Sequence, residues 1–460
     1  MAGVQLFSSI RLPARLNFGP SAFTPIFHEF VPTIRHNSGY NQINICSGVV
    51  AGKFKKLKKT VRPRLVNPMT TTAAPLNLSP PSPATSARTL FNRLLIPLLA
   101  VVTAVIIGSV LIVLAGLDPI KAYSGLWQGA FGTDAGLVRT LTKMTPLILS
   151  GLAVAFAFKG GLFNIGAQGQ LVIGSILSAW VGFGVSGLAP ALHIFLALAA
   201  GVVGGALWGL IPGLLKAYTG AHEVISTIML NYIAGLLVEW AVTPAQPDTA
   251  AGPLAACQTL GSCNSSNTPN ILPSAFLPSL YNPPASNATQ LHIGVFFAIA
   301  IAFIVAIVIY RTTFGFEIRM VGLNPRAARY AGINVPRMTV MTLVIAGSLA
   351  GLAGAIQTQG INHRFETNQS LSTGFDSIAV SLLAANDPIA IIPSAFLFGA
   401  LDSGSTQMQT SSGVPNDLIK VLQALILMFI AADQIIRSLY RIKGTGTSSS
   451  IKLSSGWGQR

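Results

Sequence analysis

The sequence predicts an all-α protein, a polytopic membrane helix bundle, and three observations carry that expectation. Of the residues, 51% are hydrophobic and only 9% charged, far below the roughly 25% charged content of an ordinary soluble domain. Apolar runs of about 20 residues, the length that crosses a bilayer core, recur along the chain. Glycine is frequent inside those runs, as in AAGVVGGALWGLIPG and IAGSLAGLAGAI. Small residues permit close helix contact in lipid, where no hydrophobic force pulls helices together.

Hydropathy places about ten spans, at 93–117, 142–158, 167–187, 190–215, 223–243, 291–310, 338–358, 376–386, 388–405 and 416–436. The eighth is too short to cross ~30 Å of hydrocarbon alone. It reads as a broken helix, tolerated where other protein covers its ends or where it lines a cavity. The transmembrane domain is thus expected at 91–436, with a cytoplasmic tail at 69–90 and a basic tail at 437–460.

Residues 1–68 have no sustained apolar run and carry ten Lys/Arg against Glu29 alone, which is +9 of the total +16. Two explanations stay open: an Arg-rich targeting peptide, or a disordered basic leader upstream of a true start at Met69. Composition favours the second. Because the positive charge is mostly terminal, as in KFKKLKK, it fits anionic lipid headgroups and not nucleic acid.

Lys and Arg also set the expected orientation. None occurs in residues 217–310, so the Pro/Ser/Asn-rich loop 244–290 is expected outside. The loop 311–337 carries Arg311, Arg319, Arg326, Arg329 and Arg337, and the C-terminal tail is basic as well. Both belong in the cytoplasm by the positive-inside rule. Ten spans with both termini inside are self-consistent. The external loop holds Cys257 and Cys263, whose spacing allows a disulfide or a reduced pair.

Polar residues inside the spans are costly unless they face the bundle interior, water or a partner. The stretch GLFNIGAQGQ (161–170) brings Asn164, Gln168 and Gln170 between two apolar runs. It reads equally as a helix break lining a solute pathway or as a tight turn whose amides satisfy freed backbone. On that pathway reading Asn164→Ala impairs transport more than Gln170→Ala. Asn231 and Gln357 are further pathway candidates. His222 and Glu223 begin a span, where an acid favours the helix dipole. No row of acids suited to a proton relay is visible.

In FGFEIRMVGLNPRAARYAGINVPRM, Asn324 and Pro325 form a helix start and Gly332 lies where a C-terminal cap belongs. Such a short basic helix rests on headgroups or docks into another protein. No phosphate loop, zincin, nucleophile-elbow or Cys/His metal pattern occurs. The chain is therefore expected to be no enzyme and to need no cofactor.

Four segments together resemble a known family: TPLILSGLAVAFAFKGGLFNIGAQGQLVIG, HEVISTIMLNYIA, GLNPRAARYAGINVPRMTVMTLVIAGSLAGLAGA and GFDSIAVSLLAANDP. They resemble permease subunits of ABC-type importers for nucleosides and simple sugars, within the ribose and branched-chain amino-acid permease family. The likeness runs from about residue 90 to 436. It implies a plasma (inner) membrane translocation subunit that works by alternating access. Its implied partners are a second permease, a separate ABC ATPase and an extracytoplasmic substrate-binding lipoprotein. The family's coupling segment maps onto Asn324, Arg326, Ala327, Ala328 and Gly332. Nucleoside permeases usually carry Glu where Gln168 stands, so this chain departs from the resemblance there by the loss of a charge. A secondary transporter or channel working without ATP is the rival reading.

Overall fold

Prolines and short polar side chains start the helices. Asp118 caps the helix that opens with Pro119, accepting from Ile120 N at 2.9 Å, and Thr133 caps the next through Gly136 N at 3.0 Å. Each satisfies an amide that the first helical turn leaves without a partner. The computed structural model describes residues 99, 101–245, 250–256, 266–283, 290–367 and 372–431. The leader 1–68, the tails 69–90 and 437–460, and Cys257 and Cys263 lie outside these.

The described residues are mostly helical. In chain order the helices are α1 (Val101–Leu114), α2 (Pro119–Phe131), α3 (Asp134–Lys159), α4 (Ala167–Gly184), α5 (Pro190–Leu214), α6 (Glu223–Val242) and α7 (Gly294–Arg311). They continue with α8 (Thr313–Leu323), α9 (Pro325–Tyr330), α10 (Val335–Gln357), α11 (Thr373–Leu383), α12 (Ile391–Ser412) and α13 (Asn416–Ala431). Two helices end in π-turns, α5 through Leu215–Thr219 and α10 through Thr358–Asn362. A small antiparallel pair, β1 (Ser279–Tyr281) and β2 (Leu291–His292), closes the segment before α7.

Ten spans is more than the structure supports. Among the described residues five helices are long and apolar enough to cross a membrane: α3, α5 with its π-turn, α6, α7 and α10 with its π-turn. Polar residues interrupt several of the remaining helices: Gln168 and Gln170 at the start of α4, and Asp402, Gln407 and Gln409 in α12. The eighth span is the eleven-residue α11, short as expected. Residues 118–141, between the first two expected spans, hold α2 and the first turns of α3.

The core is built around α3 and α10. In their most apolar stretches 83% and 72% of residues are buried, against 28% for α5 and α6. Leu207, Tyr232, Leu236 and Trp240 are accordingly exposed, a surface suited to lipid. α10 packs on α5 through opposed glycines: a Cβ on Gly205 would overlap the Gly347 carbonyl, and the reverse holds too. Backbone contact this close is the small-residue packing anticipated from sequence.

Candidate functional site

The stretch 161–170 folds as a turn and the first residues of α4. Gly161 adopts φ +71 against the backbone of Gly322, where a side chain would collide. Asn164 and Gln170 are both 1% exposed and bond each other. Asn164 Nδ2 donates to Gln170 Oε1 at 2.9 Å, and Gln170 Nε2 donates to Asn164 Oδ1 at 3.4 Å. Asn231, from α6, clamps the same turn: its Oδ1 accepts from Gly169 N at 2.8 Å and its Nδ2 donates to Ile165 O at 2.9 Å. Asn164 and Gln170 thus satisfy each other while Asn231 satisfies the turn's backbone, in a setting where each unpaired group costs ~1–3 kcal/mol.

Gln168 reaches elsewhere. Its Oε1 accepts from Gly374 N at 2.8 Å, in the first turn of α11. A Cβ on Gly374 would run into Gln168, so this approach requires glycine. A neutral amide performs this cap as an acceptor, with no need of the carboxylate that the resemblance led one to expect.

Gln357 stands apart from the other four. It closes α10 and is 7% exposed, and its Oε1 has no hydrogen-bond partner among the described residues. Two neighbours on the same side of the molecule share that condition, Gln359 Oε1 in the π-turn and Ser175 Oγ in α4. Gln359 Nε2 is bonded to Ser178 Oγ at 3.0 Å, and Thr358 Oγ1 donates to Ser175 O at 3.4 Å. π-turns recur at functional sites in helices. Their polar surplus here is acceptor-rich and uncharged, which suits a neutral solute presenting N–H and O–H groups.

Residues 266–283, within the loop expected outside, strap this end. Ile271 N donates to His363 O at 2.9 Å, Leu277 N to Gln359 O at 3.2 Å and Leu272 N to Gly182 O at 2.8 Å. His193 adds a bond to Ser274 Oγ at 2.8 Å. His292, 1% exposed, packs its ring on Gly360, and burial with the nearby His363 pushes its pKa down to about 4. No sequence pattern singled out His292 or Gln359. The sole signal was their polarity beside apolar runs.

At the other end lies the basic loop. Asn324 caps α9, accepting from Arg326 N at 3.0 Å and Ala327 N at 3.1 Å. Gly332 follows at φ +84, the left-handed stop expected of it. Ala328 is fully buried while Ala327 and Arg326 are exposed. Leu323 and Tyr330, 79% and 94% exposed, flank the helix and were missed from sequence. Glu223 pairs with Lys216 at 2.7 Å, a bridge across the turn between α5 and α6.

A bundle with an amide belt and a capped basic helix at one end is consistent with a permease, and comparison with known proteins decides the family. Residues 136–431 match the model for the permease component of branched-chain amino acid transport systems. The chain belongs to this permease family. It is a multi-pass membrane protein, as its apolar helices require. It is 37% identical over 347 residues to the guanosine ABC transporter permease NupP of Bacillus subtilis, covering 75% of this chain and 95% of that one. It is 39% identical to the nucleoside ABC transporter permease NupB of Lactococcus lactis, covering 75% and 92%. The glucose ABC transporter permease TsgB13 of Haloferax volcanii is 31% identical, covering 75% and 89%. No solved structure matches.

Proposed function

We propose that the chain is the translocation subunit of an ATP-driven importer and that nucleosides are its solutes. The carrying observation is the likeness to the guanosine and nucleoside permeases across three quarters of the chain. The uncharged surplus of acceptors at Gln357, Gln359 and Ser175 supports a neutral polar solute. A simple sugar is the second reading, favoured by the 31% likeness to a glucose permease.

In this reading α9 docks into a separate ABC ATPase, with Arg326, Ala327, Leu323 and Tyr330 as the contact face and the basic end cytoplasmic. Both termini lie inside and the membrane is the plasma membrane. A second permease completes the pathway, and a binding lipoprotein delivers solute at the strapped end. Closure of the ATPase dimer shifts the pair between outward-open and inward-open states, because ATP favours one of them. Gln357 contacts the passing solute. Asn164, Gln170 and Asn231 hold the turn beneath it, and Gln168 holds α11.

The test reconstitutes the chain with its partner permease, ATPase and binding protein in liposomes and follows radiolabelled guanosine and glucose. Uptake that requires ATP and favours guanosine is expected. Gradient-driven uptake by this chain alone would sink the proposal in favour of a carrier or channel.

A further inference from the structure

Between the basic loop and the amide belt stands α11, held at both ends. Its first turn is tied to Gln168 through Gly374 N at 2.8 Å. Its last turn runs into Ala385 and Asn386, which adopt φ +51 and φ +59. Non-glycine residues occupy that region only where surrounding structure imposes it. The imposing contacts are visible: Asn386 Oδ1 accepts from Ser381 Oγ at 2.8 Å, and Asp387 starts the turn into α12, its Oδ1 accepting from Ile389 N at 3.0 Å and Ala390 N at 3.2 Å.

The second oxygen of Asp387 is engaged differently. Oδ2 accepts from the Tyr310 hydroxyl at 3.1 Å. Tyr310 is the penultimate residue of α7, and only Thr312 separates α7 from α8. Over its ring stand Arg319 of α8, with Cζ 5.7 Å from the centroid, and Lys159 at the end of α3, with Nζ 5.6 Å away. Both are within cation–π range. One residue beyond α8, Asn324 opens α9. A continuous set of contacts therefore leads from α9 through α8 and Arg319 to Tyr310, then to Asp387, along α11, and to Gln168.

We infer that Tyr310 and Asp387 are positioning residues that tie the basic loop to α11, so that displacement of α8 and α9 reaches Gln168 through one rigid half-helix. The inference rests on the importer reading. The left-handed pair Ala385–Asn386 is the joint at which α11 turns relative to α12, since hinges are short element-terminal segments that absorb the dihedral change. α11 itself, eleven residues on the face of α3 where Val380 meets Gly151, moves as a unit.

The test uses the complete reconstituted transporter and measures ATP hydrolysis and guanosine uptake together. Tyr310→Phe removes one hydroxyl, and Asp387→Asn keeps the acceptor for the α12 turn. Because the Nδ2 of an asparagine at 387 could still donate to the Tyr310 oxygen, Asp387→Ser, which keeps a capping oxygen and lacks the second one, is the decisive partner of Tyr310→Phe. Each of these two is expected to leave hydrolysis and the KM for guanosine within about two-fold while lowering solute moved per ATP by roughly 10-fold, the scale of an ordinary coupling energy. The double variant should be no worse than either single, as members of one connection are not additive. Wild-type complex without ATP-dependent uptake overturns the importer reading and this inference with it. Coupled wild type with unchanged stoichiometry in both variants, additive losses, or losses explained by less folded protein in a melting assay overturn the inference alone.

Discussion

Asn164 and Gln170 form the clearest test of what a buried amide does in this bundle. Because each is the other's partner, alanine at either position orphans the remaining amide, and both substitutions should lower stability by a similar ~1–3 kcal/mol. Thermal unfolding in detergent would show it. Any transport deficit of Asn164→Ala beyond that of Gln170→Ala then measures contact with solute. His292 makes a second residue-level prediction. Burial, reinforced by His363, lowers its pKa to about 4, so the unfolded chain binds the proton more readily than the folded one. Its contribution is complete above pH 6.5 and is lost as pH falls toward 4. His363 is shifted downward as well, through burial, and adds in the same direction. The melting temperature should drop between pH 7 and pH 5, and His292→Leu should flatten that dependence. An unchanged slope in the variant would assign it elsewhere.

Helix α9 was legible in the sequence because its signals are local. Asn324, Pro325 and Gly332 act within one or two turns of backbone, and their geometry needs no distant partner. The amide belt was legible only in part. Composition marked Asn164, Gln168, Gln170 and Asn231, but Asn231 meets the turn across 62 residues and Gln168 meets Gly374 across 206. Pairings at such separations follow from helix packing, which periodicity does not encode. Helix α2 escaped notice although Asp118 and Pro119 spell its start, since its moderate apolarity resembles that of a connection. For α9 the expected result is specific: Arg326→Ala combined with Gly332→Val should leave insertion intact and cut uptake per ATP by about 10-fold. Normal stoichiometry in the double variant, measured in the reconstituted complex, would remove α9 from the docking role.

Across the whole molecule, burial sorts the helices into a core of α3 and α10 and a periphery of α5, α6 and α7. The periphery was readable from apolar content, whereas its division from the core was not, because a helix facing lipid and one facing protein are equally apolar. Leu236, 68% exposed on α6, tests the division. Leu236→Arg should disfavour insertion by ~2.5–3.5 kcal/mol when the position is near the bilayer centre, seen as a loss of membrane-integrated protein. Full integration of that variant would mean that α6 faces protein or water.

The double fixing of α11 also constrains how this chain can change length. Thirteen positions separate Gly374, which meets Gln168, from Asp387, which meets Tyr310. Inserting one residue between them would lengthen the helix by ~1.5 Å and rotate its ends by ~100° relative to each other. One anchor or the other would then miss its partner. Insertions and deletions are thus not tolerable within α11, and a library of single-residue insertions scored for uptake should show a gap spanning 374–387.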